Sequence, residues 1–200
     1  IFIKTNIKVL SGNMKILITG SNGMLGFDLK EVLSDKHELI LTTSKTLDIT
    51  DKNHTLEFIL SQKPDIVINS AAYTDVDGCE ENKQHAYDVN AEGVRNLALA
   101  CKQSGSVLVH ISTDYVFNGK NDRPWVEDDK TGPISVYGKT KLEGEQAIKE
   151  ILDEYFIIRT AWLYGVNGRN FPKTMLELAK NHSEITVVYD EVGSPTYTLD

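Results

Sequence analysis

The sequence is poor in the residues that staple or metallate a small fold. It has two cysteines in 200 residues, Cys79 and Cys101, far apart and in no CxxC pair. That argues against a disulfide framework or a zinc site and fits a reducing, cytoplasmic setting. The five histidines (His37, His54, His85, His110 and His182) have no ligand spacing. No apolar run approaches the ~20 residues that span a bilayer, so no membrane partner is expected. Basic residues are outnumbered, 21 against 29 acidic ones, giving a formal net charge of −8. With no Lys/Arg cluster there is no electrostatic footprint for a nucleic acid, and the acidic balance serves solubility. Low-complexity linkers and solenoid repeats are absent too. Residues 1–13 lack the cationic start and long apolar core of a secretory signal. They are read as a leader or upstream extension outside the fold, which then starts at Met14.

What remains is an ordinary globular composition, 40% hydrophobic and 25% charged, long enough for one domain with a full core and a small appendage. From Met14 onward short apolar runs alternate with helical patterns. The runs 15–19 (KILIT), 38–42 (ELILT), 65–69 (DIVIN), 107–112 (VLVHIS), 155–159 (YFIIR) and 185–188 read as six strands. Residues 25–33, 52–60, 80–104 (broken near Asn90), 136–151 and 171–181 read as helices. Strand–helix alternation implies βαβ units, so the fold class is α/β: a Rossmann-type doubly wound parallel sheet with helices on both faces. Residues 14–170 form the dinucleotide-binding domain. Residues 171–200 hold the last helix and strand with the start of a substrate-binding lobe. The irregular stretch 118–133, rich in Gly, Pro, Asp and Asn, is the candidate active-site loop.

Two spacings carry chemistry. Gly20, Gly23 and Gly26, with Met24 and Leu25, form a GxxGxxG turn directly after the first strand and at the head of the first helix. Glycine permits the tight turn and the close approach of a pyrophosphate, and the helix N-terminus offers N–H groups to the anion. The tip of the second strand reads Thr42-Thr43-Ser44-Lys45, with no carboxylate to select a free ribose hydroxyl. Thr43, Ser44 and Lys45 would tolerate a 2′-phosphate, so NADH and NADPH both remain open. The second spacing is YxxxK: Tyr137 and Lys141 lie one turn apart on one helix face. A neighbouring ammonium is expected to lower a phenol pKa of about 10 and make tyrosine a usable proton donor. Thr113, after the fourth strand, sits at the carboxyl edge where open α/β sheets bind ligands. Its hydroxyl can bond a substrate oxygen and the phenol, while Asp114 and Tyr115 can orient substrate hydroxyls.

The glycine turn, STDYVF (112–117) and YGKTKLEGE (137–145) together resemble the extended short-chain dehydrogenase/reductase family. Further matches are NSAAYTDVDGCE (69–80), DVNAEG (88–93), RTAWLYG (159–165) and GSPTYT (193–198), so the resemblance covers nearly everything from Met14 onward. It implies reduction of the C4 ketone of a nucleotide-linked 4-keto-6-deoxysugar by NADH or NADPH. Thr113, Tyr137 and Lys141 would be the catalytic residues. Gly20, Gly23, Met24 and Leu25 would hold the pyrophosphate, and Asp48 and Ile49 would flank the adenine. Ala71, Ala72 and Tyr73 would line the cofactor channel, and Asn90 would support the catalytic helix network. Trp162, with Thr113, Asp114, Tyr115 and Tyr137, would face the deoxysugar. Family members are longer, which implies that the smaller substrate lobe is incomplete in this chain. The partner is a nucleotide-sugar substrate, acting on a monomer or homodimer.

Other readings stay open. One is a nucleotide-sugar epimerase with tightly bound NAD. Another is a non-catalytic cofactor-binding regulatory module. Tyr115 after Asp114 counts against a dehydratase, which commonly places an Asp–Glu pair there. From the residues alone Trp162 also reads as a core aromatic and Asn90 as a helix cap. Glu127, Asp128 and Asp129 read as a solvated loop, so magnesium is not supported. Glu143 and Glu145 read as solvent-facing, and His110 as buried and hydrogen-bonded.

Overall fold

The computed structural model describes residues 2–4 and 12–200. Its elements in chain order are β1 (Phe2–Lys4), β2 (Lys15–Thr19), α1 (Met24–Leu33), β3 (Glu38–Leu41), α2 (Lys52–Gln62), β4 (Ile66–Asn69), α3 (Val76–Glu81), α4 (Lys83–Tyr87), a π-helical turn (Asp88–Glu92) and α5 (Gly93–Ser104). They continue with β5 (Val107–Thr113), a 3₁₀ turn (Asp114–Val116), α6 (Val136–Ile151), β6 (Tyr155–Thr160), β7 (Leu163–Tyr164), α7 (Phe171–Asn181) and β8 (Thr196–Tyr197).

Six strands form one sheet in the order β1-β6-β5-β4-β2-β3. The five from β2 to β6 pair in parallel. The chain leaves β2 in one direction to make β3 and returns across it to make β4. A crevice therefore opens between the carboxyl ends of β2 and β4, the switch point at which doubly wound sheets bind ligands. The period-2 geometry of β2 explains the two-faced core. Ile16 and Ile18 point to one side, with Ile68 and the α1 residues Leu29 and Leu33. Leu17 points to the other, with Val67, Leu97, Leu108, Ile148 and Ile157. Strands covered on both faces read as near-continuous apolar runs, which is why these segments are legible in the sequence.

Several expectations need correction. Residues 2–4, set apart from the fold as part of a leader, pair antiparallel with β6 and extend the sheet by an edge strand. The sixth strand expected at 185–188 is absent; the segment has no regular structure and is mostly exposed. An apolar alternation becomes a strand only where a partner satisfies its backbone, and the short ladder formed here joins β7 to β8 instead. The long helix expected over 80–104 is four pieces, with the break at Asn90 taking the form of the π-helical turn. No regular element occupies residues 118–133. Among the described residues, no helix is long and apolar enough to cross a membrane.

Candidate active site

The crevice at the switch point is built from backbone. Gly20 has φ +66°, and a Cβ there would lie 2.8 Å from Ala71 N. The turn after β2 and the loop after β4 therefore touch, and only glycine permits the approach. A Cβ on Gly26 would overlap the Gly20 carbonyl, so α1 can rise directly from the turn. Gly23 caps α1 without a side-chain hydrogen bond, which leaves first-turn N–H groups open for an anion. Ser70 Oγ donates to Thr19 O at 2.5 Å, and Thr19 Oγ1 donates to Asn69 Oδ1 at 2.6 Å, locking the two strand ends together.

Thr43 is half-buried at the tip of β3, with its hydroxyl accepting from Lys45 N at 3.3 Å. Asp48 is exposed and accepts from both the N–H and the hydroxyl of Thr50, at 3.0 and 2.8 Å. The Ile49 side chain is buried in the core against Gly93, so of that pair Asp48 alone presents its side chain to solvent. Ala71, Ala72 and Tyr73 are half-buried along the loop after β4. Asn90 is fully buried and lies within the π-helical turn rather than capping a helix. Its Oδ1 accepts from Tyr73 N at 2.9 Å, and its Nδ2 donates to Tyr73 O at 3.0 Å and Thr140 Oγ1 at 3.3 Å. It clamps the 71–73 loop to α6.

On the other side of the crevice, Ser135 starts α6 by accepting from Gly138 N at 3.1 Å. A Cβ on Gly138 would overlap Tyr115 O, so the glycine lets α6 close onto the 3₁₀ turn. The Tyr137 ring meets that of Tyr115 edge-on at 5.5 Å. Thr113, buried at the end of β5, donates to Asp114 Oδ1 and accepts from Tyr115 N, both at 3.2 Å. Burial pushes the Tyr137 phenol up to about 12, with its hydrogen bond to Thr113 pulling the other way and Asp114, Cys79 and Tyr115 adding to the rise. The lowered phenol pKa expected from Lys141 is therefore not found. Lys141 is itself buried and donates to Ile111 O at 2.7 Å. Burial lowers its ammonium to about 8, against a raising influence from Glu145. The site thus pairs a phenol held in its protonated form with a lysine, one turn along α6, whose ammonium is weakened by burial.

Glu145, expected in solvent, is fully buried; Glu143 is exposed as expected. Glu145 forms a bidentate pair with buried Arg159 at 2.8 and 2.6 Å and accepts from Ser112 Oγ at 2.6 Å. Consecutive residues of β5 are thereby gripped by successive turns of α6: Ile111 by Lys141 and Ser112 by Glu145. The grip fixes Thr113 opposite Tyr137. Sequence reasoning missed Ser112, Glu145 and Arg159; only Glu145 carried a signal, because the four-residue steps from Tyr137 to Lys141 to Glu145 put it on the same helix face. His110 is buried, and its Nδ1 lies 3.0 Å from Asn69 Nδ2. Burial, with Lys141 nearby, holds its pKa well below the usual imidazole range.

Asp114 is half-buried, and burial raises its carboxyl above the usual range. Tyr115 is exposed at the mouth of the cleft. Trp162 is 46% exposed and has φ +47°. A large side chain in the left-handed region costs of order 1–3 kcal/mol and persists where its surroundings impose it. Gly193 packs against its indole, so it is a presented aromatic rather than a core one. In the loop 118–133, Asp129 is engaged by Arg123 at 2.6 and 2.9 Å. Trp125 stacks on Phe117 at 4.4 Å, and Arg159 lies over the other ring partner, Phe117, at 5.0 Å.

The profile of the family described as RmlD substrate binding domain matches residues 14–200. The spore coat polysaccharide biosynthesis protein SpsK of Bacillus subtilis (strain 168) is 45% identical over 187 residues, covering 93% of this chain and 66% of that protein. The crystal structure of a dTDP-4-dehydrorhamnose reductase from Clostridium acetobutylicum aligns with a TM-score of 0.91 at 51% identity. That of a dTDP-4-dehydrorhamnose reductase from Bacillus anthracis in complex with NADP aligns with a TM-score of 0.91 at 44% identity. Each alignment covers 93% of this chain and 66% of the other, so the chain spans just under two thirds of the length of these proteins. The Rossmann-type fold is thus shared with these solved structures, and the chain belongs to the RmlD substrate binding domain family.

Proposed function

We propose that this chain carries the NADH- or NADPH-dependent reduction of the C4 ketone of dTDP-4-dehydro-L-rhamnose to dTDP-L-rhamnose, with Thr113, Tyr137 and Lys141 as catalytic residues. The observation that carries the reading is the convergence of a proton-loaded Tyr137, Thr113 and the half-buried Asp114 at the sheet edge that also bears the glycine crevice. The names of the relatives support the substrate, and the NADP held by the Bacillus anthracis protein supports the cofactor. The head of α1, left without a side-chain cap at the end of the tight glycine turn, supports a dinucleotide there.

Gly20, Gly23, Met24, Leu25 and Gly26 would hold the pyrophosphate at the glycine turn, with the open first-turn N–H groups of α1 facing it. Thr43 and Asp48 would meet the adenosine end, and Ala71, Ala72 and Tyr73 would wall the channel. The bound reductant supplies a hydride to the C4 carbon. Thr113 Oγ1 orients the C4 oxygen, and Tyr137 Oη donates its proton to that oxygen, leaving a secondary alcohol. Lys141 Nζ carries an ammonium that burial lowers to about 8, and it stands one turn along α6 from Tyr137. Asp114, Tyr115 and Trp162 would receive the deoxysugar. Residues 14–170 are assigned to dinucleotide binding and 171–200 to the start of the substrate lobe. The working form is a monomer or homodimer in a reducing cytoplasm, consistent with two free, buried cysteines.

The test is spectrophotometric. NADH or NADPH oxidation should require the dTDP-linked 4-keto-6-deoxysugar, and Tyr137→Phe should lower kcat by at least about 10²-fold, the lower end for removing a positioned acid. No oxidation by the wild type, or a near-normal rate for the variant, overturns the reading.

A further inference from the structure

Asp28 sits on α1 one turn beyond Met24, and only 4% of it is exposed. A carboxylate is costly to bury unless hydrogen-bond donors replace its water. Its donors come from far along the chain: Thr198 Oγ1 bonds Oδ2, and Asn167 Nδ2 bonds Oδ1 at 3.3 Å. Gly165 makes room for this, since a Cβ there would overlap Thr198 Oγ1 and lie 3.1 Å from Asp28 Oδ2. The same face of α1 carries Met24. Its Sδ lies 3.6 Å from Asn170 Nδ2, and its side chain packs under Gly168. Asn170 also donates to Gly165 O at 2.8 Å and caps α7 through Lys173 N at 3.2 Å.

These contacts hold an arm that has little else to order it. β7 and β8 have two residues each, too few for independent stability. From Thr198 the ladder runs through Tyr164 O at 3.0 Å to the Thr196 N–Trp162 O bond at 3.4 Å, and Gly193 covers the Trp162 indole. An unbroken series of contacts thus joins Met24, the first helical residue after the glycine turn, to the exposed Trp162.

We propose that Asp28 is a positioning residue that couples the dinucleotide-binding turn at the head of α1 to the β7–β8 arm bearing Trp162. The inference rests on the dinucleotide reading of that turn. A ligand that grips residues 20–25 fixes Met24 and the start of α1, and so favours the ordered arm. Coupling is reciprocal, so loosening the arm weakens the dinucleotide.

The experiment compares Thr198→Val, Thr198→Ser and Asp28→Asn with wild type in the full chain. NADH and NADPH affinities are measured by calorimetry, thermal midpoints are recorded, and amide exchange is followed with and without cofactor. Thr198→Val should weaken the bound cofactor about fivefold, the lower end of usual coupling factors, and Asp28→Asn should do the same. Thr198→Ser, which keeps the hydroxyl, should bind as wild type. Cofactor should slow exchange over residues 163–170 and 193–198 in wild type and not in Thr198→Val. Wild-type affinity in Thr198→Val and Asp28→Asn, even with lowered midpoints, would leave a purely structural contact and overturn the proposal. Failure of wild type itself to bind either cofactor removes the dinucleotide reading and the coupling with it.

Discussion

Lys141 is an expensive residue where it sits. An ammonium buried against a carbonyl, with its pKa brought down to about 8, is less stable charged than in water. Between that value and about 10.4, the value for a free lysine, the unfolded chain binds more protons than the folded one. Stability from this group therefore rises with pH across that window, and below pH 8 the penalty is complete. We expect Lys141→Met to raise the melting temperature by a few degrees at pH 7, in spite of the donor lost to Ile111 O, and to abolish turnover. The wild-type minus variant difference in melting temperature should shrink between pH 8 and 10. A lower melting temperature for the variant at pH 7 would contradict this account. Residue identity was readable at Tyr137, Lys141 and Thr113 because spacing and strand position advertise them. The state of each was not. A phenol at about 12 and a lysine turned to a carbonyl follow from burial and rotamer, which a four-residue spacing does not encode.

At the scale of elements, α6 does the aligning. Its start is set by Ser135, and Tyr137 is the second residue of the helix. Removing a serine cap costs about 1 kcal/mol. For a chain of this size that is a melting-temperature loss of roughly 2–4 °C. Because the frayed turn contains Tyr137, Ser135→Ala should also lower kcat severalfold while leaving cofactor affinity near wild type. An unchanged kcat would mean that Ser112, Glu145 and Arg159 suffice to hold the helix. The helix was legible from its pattern, but the burial of Glu145 was not, because its partner Arg159 is on β6 and meets it only where α6 packs onto the sheet. The alternation at 185–188 misled for the complementary reason, since no strand edge reaches it. Asn90 marks the limit of local reasoning as well. It reads as a cap in sequence, and in the fold its amide joins a loop and a helix distant along the chain.

For the whole molecule, apolar side chains are unevenly distributed. Val192 is 99% exposed and Tyr189 95%, and Val166, Leu176 and Val188 are exposed too. α7 buries no residue. Exposed apolar surface gathered in one stretch of chain is unusual for a monomeric protein. We expect this chain to enhance 1-anilinonaphthalene-8-sulfonate fluorescence, and the double variant Tyr189→Glu, Val192→Glu to lose most of the signal with cofactor affinity unchanged. A silent wild type would show that these side chains are covered in solution.

The sequence by itself determined the α/β class, the parallel core strands, the glycine turn and the Tyr137–Lys141 step, because each rests on a local period or a backbone freedom that neighbouring residues express. Tertiary structure decided what those residues are set to do. It brought Gly20 against Ala71, joining the glycine turn to the loop after β4. It tied Ser112 to Glu145 and Arg159, turned Trp162 outward on a left-handed backbone and anchored the β7–β8 arm to Asp28. Those outcomes depend on partners far apart in sequence, and no periodicity carries the information about which distant groups will meet.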